Sequence, residues 1–139
     1  MMLAVACVRK SGGSFCCEHV DRLQRMVDEY LACDHRFICL SDACSGGCKA
    51  EKRDLIYDLP GCWSKIELFG IDQPTVYFDL DTTILNDITL LAELAQSVPA
   101  GKLAMIRRFR KPGWASGIMA WSGGMQWLMR EFVSKRAFG

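Results

Sequence analysis

The chain has 139 residues, 50% hydrophobic and 24% charged, with a formal net charge of +1. That balance excludes a disordered chain, no apolar run approaches the roughly 18 residues of a membrane span, and the near-zero charge argues against general nucleic-acid binding. The N-terminal apolar run has no basic residues ahead of it, Arg9 and Lys10 coming after, so no secretory signal is expected and the location is read as cytoplasmic.

In chain order, Ala4 to Val8 reads as a short buried strand, broken by Ser11-Gly12-Gly13-Ser14. From His19 to Ala32 the apolar residues Val20, Leu23, Met26, Val27, Tyr30 and Leu31 recur at three-four spacing, which predicts a helix with one core face. Arg36 to Leu40 is a second strand, so the first 40 residues form a βαβ unit whose crossover favours parallel pairing. Ala43 to Leu59 is polar and lacks a period, which predicts a long loop. Pro60 suits the start of a helix reaching Phe69, with Gly70 as its stop.

Thr75 to Leu80 is a further strand, Ile88 to Gln96 a helix, and Leu103 to Ile106 and Gly117 to Trp121 strands. Ser122 is placed to cap a last helix from Gly124 to Lys135, with Leu128, Met129, Phe132 and Val133 on its apolar face. The order argues one α/β layered domain over residues 1–139.

The eight cysteines show no disulfide-framework spacing and read as reduced, mostly buried thiols. Cys44 and Cys48 are off the usual zinc-ligand gap and no second pair follows them. Arg107-Arg108-Phe109-Arg110-Lys111 reads as a solvated basic loop, with attraction of an acidic acceptor or a phosphate as the other reading. Trp114, Trp121 and Trp127 are candidates to stack on sugar rings; Trp121 and Trp127 read rather as core, and Trp114, beside Pro112 and Gly113, is the better exposed candidate.

The most informative stretch is Val76-Tyr77-Phe78-Asp79-Leu80-Asp81-Thr82-Thr83. An apolar strand ends in Asp-Leu-Asp, and residues two apart on a strand share a face. Two carboxylates roughly 5 Å apart repel by about 3 kcal/mol at an effective dielectric of 20. Water, a shared proton or a divalent cation would relieve that repulsion, and ligand sites of open α/β sheets lie at such strand ends. A plain solvated strand end, with Asp81 turning the chain, is the competing reading.

Two enzyme classes use such a pair. Phe78-Asp79-Leu80-Asp81-Thr82-Thr83 resembles the first motif of haloacid-dehalogenase-like phosphatases, in which Asp79 would be the nucleophile and Asp81 the general acid. That class also needs later acidic residues for magnesium, and after Asp87 the chain holds only Glu93 and Glu131, each in a predicted helix. The other class is the nucleotide-sugar glycosyltransferases of the type A fold, where an Asp-x-Asp holds a metal against the donor diphosphate.

Motifs along the chain favour the second class. His19 to Val27, His35 to Asp42, Gly61-Cys62-Trp63-Ser64-Lys65-Ile66-Glu67-Leu68-Phe69, Tyr77 to Asp81 and Ser116-Gly117-Ile118-Met119-Ala120-Trp121 occur in order. Together they resemble the glycogenin-like and lipopolysaccharide galactosyltransferase group and related bacterial glycosyltransferases. The resemblance implies a Rossmann-like, layered α/β/α nucleotide-diphospho-sugar transferase fold with a mostly parallel sheet, shortened at its C-terminus.

It further implies a nucleoside-diphosphate sugar donor, a UDP-sugar foremost, and an acceptor the sequence does not name. Asp79 and Asp81 would hold Mn2+ or Mg2+, with Asp79 also near the ribose. Lys65 would meet the donor phosphate or sugar. Val8, Arg9 and Lys10, with Asp42, would flank the nucleobase, and Ser116 and Gly117 would line the sugar side. A solvated helix lysine and a turn aspartate are the plain readings of Lys65 and Asp42.

Three departures bear on activity. No histidine follows His35, so the metal would rely on aspartates, donor phosphates and water. Ala115 stands where the group tends to have asparagine, and the chain stops at Gly139, where relatives usually continue. A catalytically silent nucleotide-sugar-binding module is therefore the alternative to an active transferase, and the phosphatase comes third.

Overall fold

A computed structural model describes residues 2–42 and 48–136. Six strands form one sheet: β1 (Leu3–Arg9), β2 (His35–Ser41), β3 (Glu51–Asp54), β4 (Thr75–Phe78), β5 (Ala104–Arg107) and β6 (Trp114–Trp121). Their spatial order is β3-β2-β1-β4-β6-β5. The first four pair in parallel, while β6 runs antiparallel to both β4 and β5. The helices are α1 (Cys17–Tyr30), α2 (Thr89–Ser97) and α3 (Gln126–Arg136), and a 3₁₀ segment spans Gly61–Gly70.

Alternation along the strands sorts the core into two layers. Leu3, Val5, Cys7, Val76 and Phe78 pack under α1 and α2, through Val20, Leu23, Val27, Ala92 and Ala95. Ala4, Ala6, Ile38, Tyr77, Met119 and Trp121 face the 3₁₀ segment and α3 instead, through Leu68, Phe69, Leu128 and Met129. The result is the expected α/β/α sandwich. Asp79 follows Tyr77 by two residues, so strand parity directs the chain toward the 3₁₀ face as it leaves the sheet.

Four local readings change. Residues 51–54 are a parallel edge strand rather than part of a loop. Its sequence, Glu-Lys-Arg-Asp, carries no apolar alternation because both faces are wet, and charges suit an unpaired edge. The 61–70 helix is 3₁₀. Its three-residue period aligns Gly61, Ser64 and Glu67 in one row. Ser64 Oγ donates to Gly61 O at 2.8 Å, and the buried Glu67 carboxylate accepts from Ile56 N at 2.7 Å and Tyr57 N at 3.2 Å.

The last helix starts at Gln126, without Ser122 as its cap. Gly124 adopts a φ of +70° and its N–H donates to Asp72 Oδ1 at 2.8 Å, so the chain turns before the helix can begin. Trp127, expected in the core, is 55% exposed, because Leu128 and Met129 take the inward side of α3. Trp121 is buried, with its indole N–H on Ile71 O at 3.1 Å, and Trp114 is exposed.

The seven described cysteines are all free thiols, but only Cys7 and Cys39 are buried, and Cys62 is exposed. The Cys44 half of the CSGGC motif lies outside the described residues. No group of three or more potential metal-ligating His, Cys, Asp or Glu side chains occurs among the described residues.

Candidate functional site

At the carboxyl edge of the parallel strands, a cavity of about 490 Å³ opens between the loop after β1, the 3₁₀ segment and the end of β4. Val8, Lys10, Lys65, Asp79 and Asp81 all line it. The strand itself stops at Phe78, and Thr82 N donates to Asp79 O at 3.0 Å. Strand parity carries Asp79 toward the cavity, and the turn at Leu80 and Asp81 brings Asp81 to it, where the sequence predicts strand alternation placing both.

Asp79 is held from several directions. Its backbone N–H donates to Gly117 O at 2.9 Å, tying the turn to β6. Its Oδ1 lies 2.9 Å from Lys65 Nζ and accepts a short hydrogen bond from the Tyr77 hydroxyl. Burial, then the neighbouring Asp79 carboxylate, pushes the Tyr77 phenol far above its usual range, so it remains a donor. The second oxygen, Oδ2, faces the Cα of Gly117, where a side chain's Cβ would stand 3.4 Å away.

Lys65 Nζ also donates to Ser116 Oγ at 3.2 Å and lies 5.4 Å from the centre of the Tyr77 ring. One ammonium thus joins the 3₁₀ segment, β4 and β6. Among the described residues it reaches the cavity with a single carboxylate partner and one hydroxyl. Asp81, by contrast, is exposed.

A second group sits at the rim formed by the loop after β1. Lys10 Nζ bridges Asp42 Oδ2 at 3.0 Å and Asp58 Oδ1 at 2.9 Å, and hydrogen bonds to Asp58 and then Asp42 raise its pKa. Asp42 also accepts from Ser11 N at 2.6 Å and Ser11 Oγ at 2.8 Å. Desolvation raises the Asp42 carboxyl, but the Ser11 and Lys10 donors outweigh it and bring it to about 2. Asp42 does not line the cavity; it fastens the Lys10-Ser11 turn that does.

Arg9 goes elsewhere. Its guanidinium lies 3.2 Å from Cys17 Sγ and 3.5 Å from Phe15 O, because strand parity turns it away from Val8 and Lys10. Ser116 and Gly117 stand behind Lys65 and Asp79 as supports. Sequence reasoning singled out neither Tyr77 nor the Ser11-Gly12-Gly13 rim as site residues. Tyr77's position two before Asp79 was the available signal; the glycines read only as a chain breaker.

No protein-family model matches the chain, and no curated protein matches it. Solved structures do. The glycosyltransferase GlyE of Streptococcus pneumoniae TIGR4 superposes with a TM-score of 0.66 at 13% identity, over 95% of this chain and 36% of that one. The galactosyltransferase LgtC, in complex with donor and acceptor sugar analogues, gives 0.65 at 11%, over 95% and 61%. The fold is that of type A glycosyltransferases.

The chain thus spans between roughly a third and two-thirds of the length of those neighbours. No helix among its described residues is long and apolar enough to cross a membrane.

Proposed function

We propose that this chain is a glycosyltransferase domain that binds a nucleoside-diphosphate sugar, with a UDP-sugar as the first candidate, for transfer to an acceptor. The observation that carries the reading is Lys65 Nζ at 2.9 Å from Asp79 Oδ1 inside a cavity that Asp81 also lines, at the carboxyl edge of a type A sheet. Sites of open α/β sheets lie there. Lys10 is matched by two carboxylates, which makes Lys65 the better cation for a phosphate.

Asp79 and Asp81 offer only hard oxygen ligands, a donor set that suits Mn2+ or Mg2+ completed by phosphate and water oxygens. Asp79 Oδ1 already serves Lys65 and Tyr77, so Oδ2 and the exposed Asp81 carboxylate are the oxygens left for a cation. A cation held there would offset the charge of the leaving diphosphate. Lys65 would add a fixed positive charge to the same phosphates, and Tyr77 would keep Asp79 oriented without itself ionising.

Calorimetric titration of UDP, and then of UDP-sugars, with and without Mn2+ tests the reading. Metal-dependent binding that Asp81→Ala abolishes is expected. Metal-independent binding, or full binding by that variant, overturns it. Ala115 stands where the group that the motifs resemble tends to have asparagine, and a binding module without turnover is the second reading. Donor binding with neither hydrolysis nor transfer would select it. A phosphorylated Asp79 on treatment with a phosphate ester would instead revive the phosphatase reading.

A further inference from the structure

The hairpin joining β5 to β6 leaves the body of the fold with an unusual surface. Arg108 N donates to Gly113 O at 3.0 Å, which closes the turn, and Gly113 provides the positive φ of +109° it requires. Phe109 at the tip is 91% exposed, Trp114 60% and Ile106 47%. Among the described residues none of the cations Arg107, Arg108, Arg110 and Lys111 takes part in an ion pair with a carboxylate. The sequence contains no acidic residue between Glu93 and Glu131, so the hairpin itself is basic although the whole chain is nearly neutral.

The side chains pair within the hairpin. The Arg107 guanidinium lies 5.7 Å from the Trp114 ring centre, and Arg110 lies 5.7 Å from that of Phe109. Each ring therefore already carries a cation beside it. Bases of a single-stranded nucleic acid would have only the other face of each ring for stacking, and the aliphatic Ile106 offers a base nothing. An anionic lipid surface suits all of these groups together. Its phosphates pair with guanidinium groups, its headgroup layer accommodates Trp114, and the acyl boundary takes an apolar tip.

We propose that the β5–β6 hairpin is a membrane-surface anchor that inserts Phe109 into an anionic bilayer while Arg107, Arg108, Arg110 and Lys111 bind its headgroups. Neither an apolar tip nor a basic patch holds well alone; stable peripheral binding takes both signals. Trp114 precedes Ser116 by two residues on β6, so a docked hairpin holds the Lys65–Asp79 cavity close to the headgroup plane. The proposal does not depend on the reaction assigned to that cavity.

Co-sedimentation of the full chain with vesicles tests it. The chain is expected to pellet with vesicles of equal parts phosphatidylcholine and phosphatidylglycerol, to stay in solution with phosphatidylcholine alone, and to be released by high salt. Phe109→Ser, and separately Arg108→Glu with Arg110→Glu, should each lower the bound fraction at least tenfold. Phe109 touches so little of the fold that circular dichroism and Tm should be unchanged, which separates lost binding from lost structure. Vesicles should also blue-shift the tryptophan emission, and Trp114→Phe should remove that shift. No binding to anionic vesicles, or unchanged binding by either charge or tip variant, overturns the proposal. Binding of a single-stranded RNA that survives Phe109→Ser and displaces the vesicles also overturns it, in favour of a general polyanion site.

Discussion

Lys65 and Asp79, 14 positions apart in the sequence, meet at 2.9 Å as an ion pair whose side chains are only 21% and 33% exposed. The pair has Tyr77 on one side and Ser116 on the other. Partial shielding makes it worth more than a fully wet pair, though far less than Coulomb's law in a dry interior suggests. A double-mutant cycle with Lys65→Met and Asp79→Asn should give a coupling of about 1 kcal/mol in urea unfolding. Either single change should weaken UDP-sugar binding more than tenfold; wild-type affinity in Lys65→Met would remove Lys65 from the site.

Tyr77→Phe isolates the role of the phenol. The ring stays to fill the core, while Asp79 loses one donor and keeps Lys65. A net hydrogen bond to a charged acceptor suggests a stability loss of about 1.5 kcal/mol. Donor binding should fall with it, and loss of stability alone would mean that Tyr77 is merely structural.

Asp42 should give the fold an acid-sensitive component. Its carboxyl is lowered from 3.8 to about 2, so between those values the unfolded chain binds more protons than the folded one. Its contribution is thus complete above about pH 4 and is lost as the pH falls toward 2. Because solvent reaches the group, about 1 kcal/mol is expected rather than the larger figure implied by the full shift. Asp42→Asn should unfold more easily than the unaltered chain at pH 6, and the difference should shrink on acidification. A constant difference would contradict the assignment.

Two glycines should respond differently to alanine. At Gly117 a Cβ would stand 3.4 Å from Asp79 Oδ2, a contact the fold tolerates. Gly117→Ala should keep its Tm within a few degrees yet weaken metal-dependent UDP binding, because the methyl covers the free carboxylate oxygen. Gly124 combines a φ of +70° with a would-be Cβ 3.1 Å from the backbone N of Gly101. Gly124→Ala should cost about 2 kcal/mol, and thermal melting of both variants distinguishes the two effects.

The sequence by itself determined the apolar framework. Val20, Leu23 and Val27 announced α1, the strands before Arg9 and Ser41 announced the βαβ start, and the Asp79–Asp81 motif pointed to the site. These signals are local: burial on one face forces a period of 3.6 or 2, and that period can be read from the chain. Edge strand β3 was invisible because Glu-Lys-Arg-Asp buries nothing and so has no period to show. Trp127 looked like core for a related reason, since composition does not say which side of a helix meets the sheet.

The site itself needed the tertiary structure. Strand parity sends Lys10 to the cavity and Arg9 to Cys17, although the two are adjacent. The antiparallel return of β6 beside β4 places Ser116 and Gly117 against Lys65 and Asp79. A motif can specify which charges are present, but their partners come from other elements of the fold. Those partners decide that Lys10 is matched by two carboxylates while Lys65 reaches the cavity paired with one.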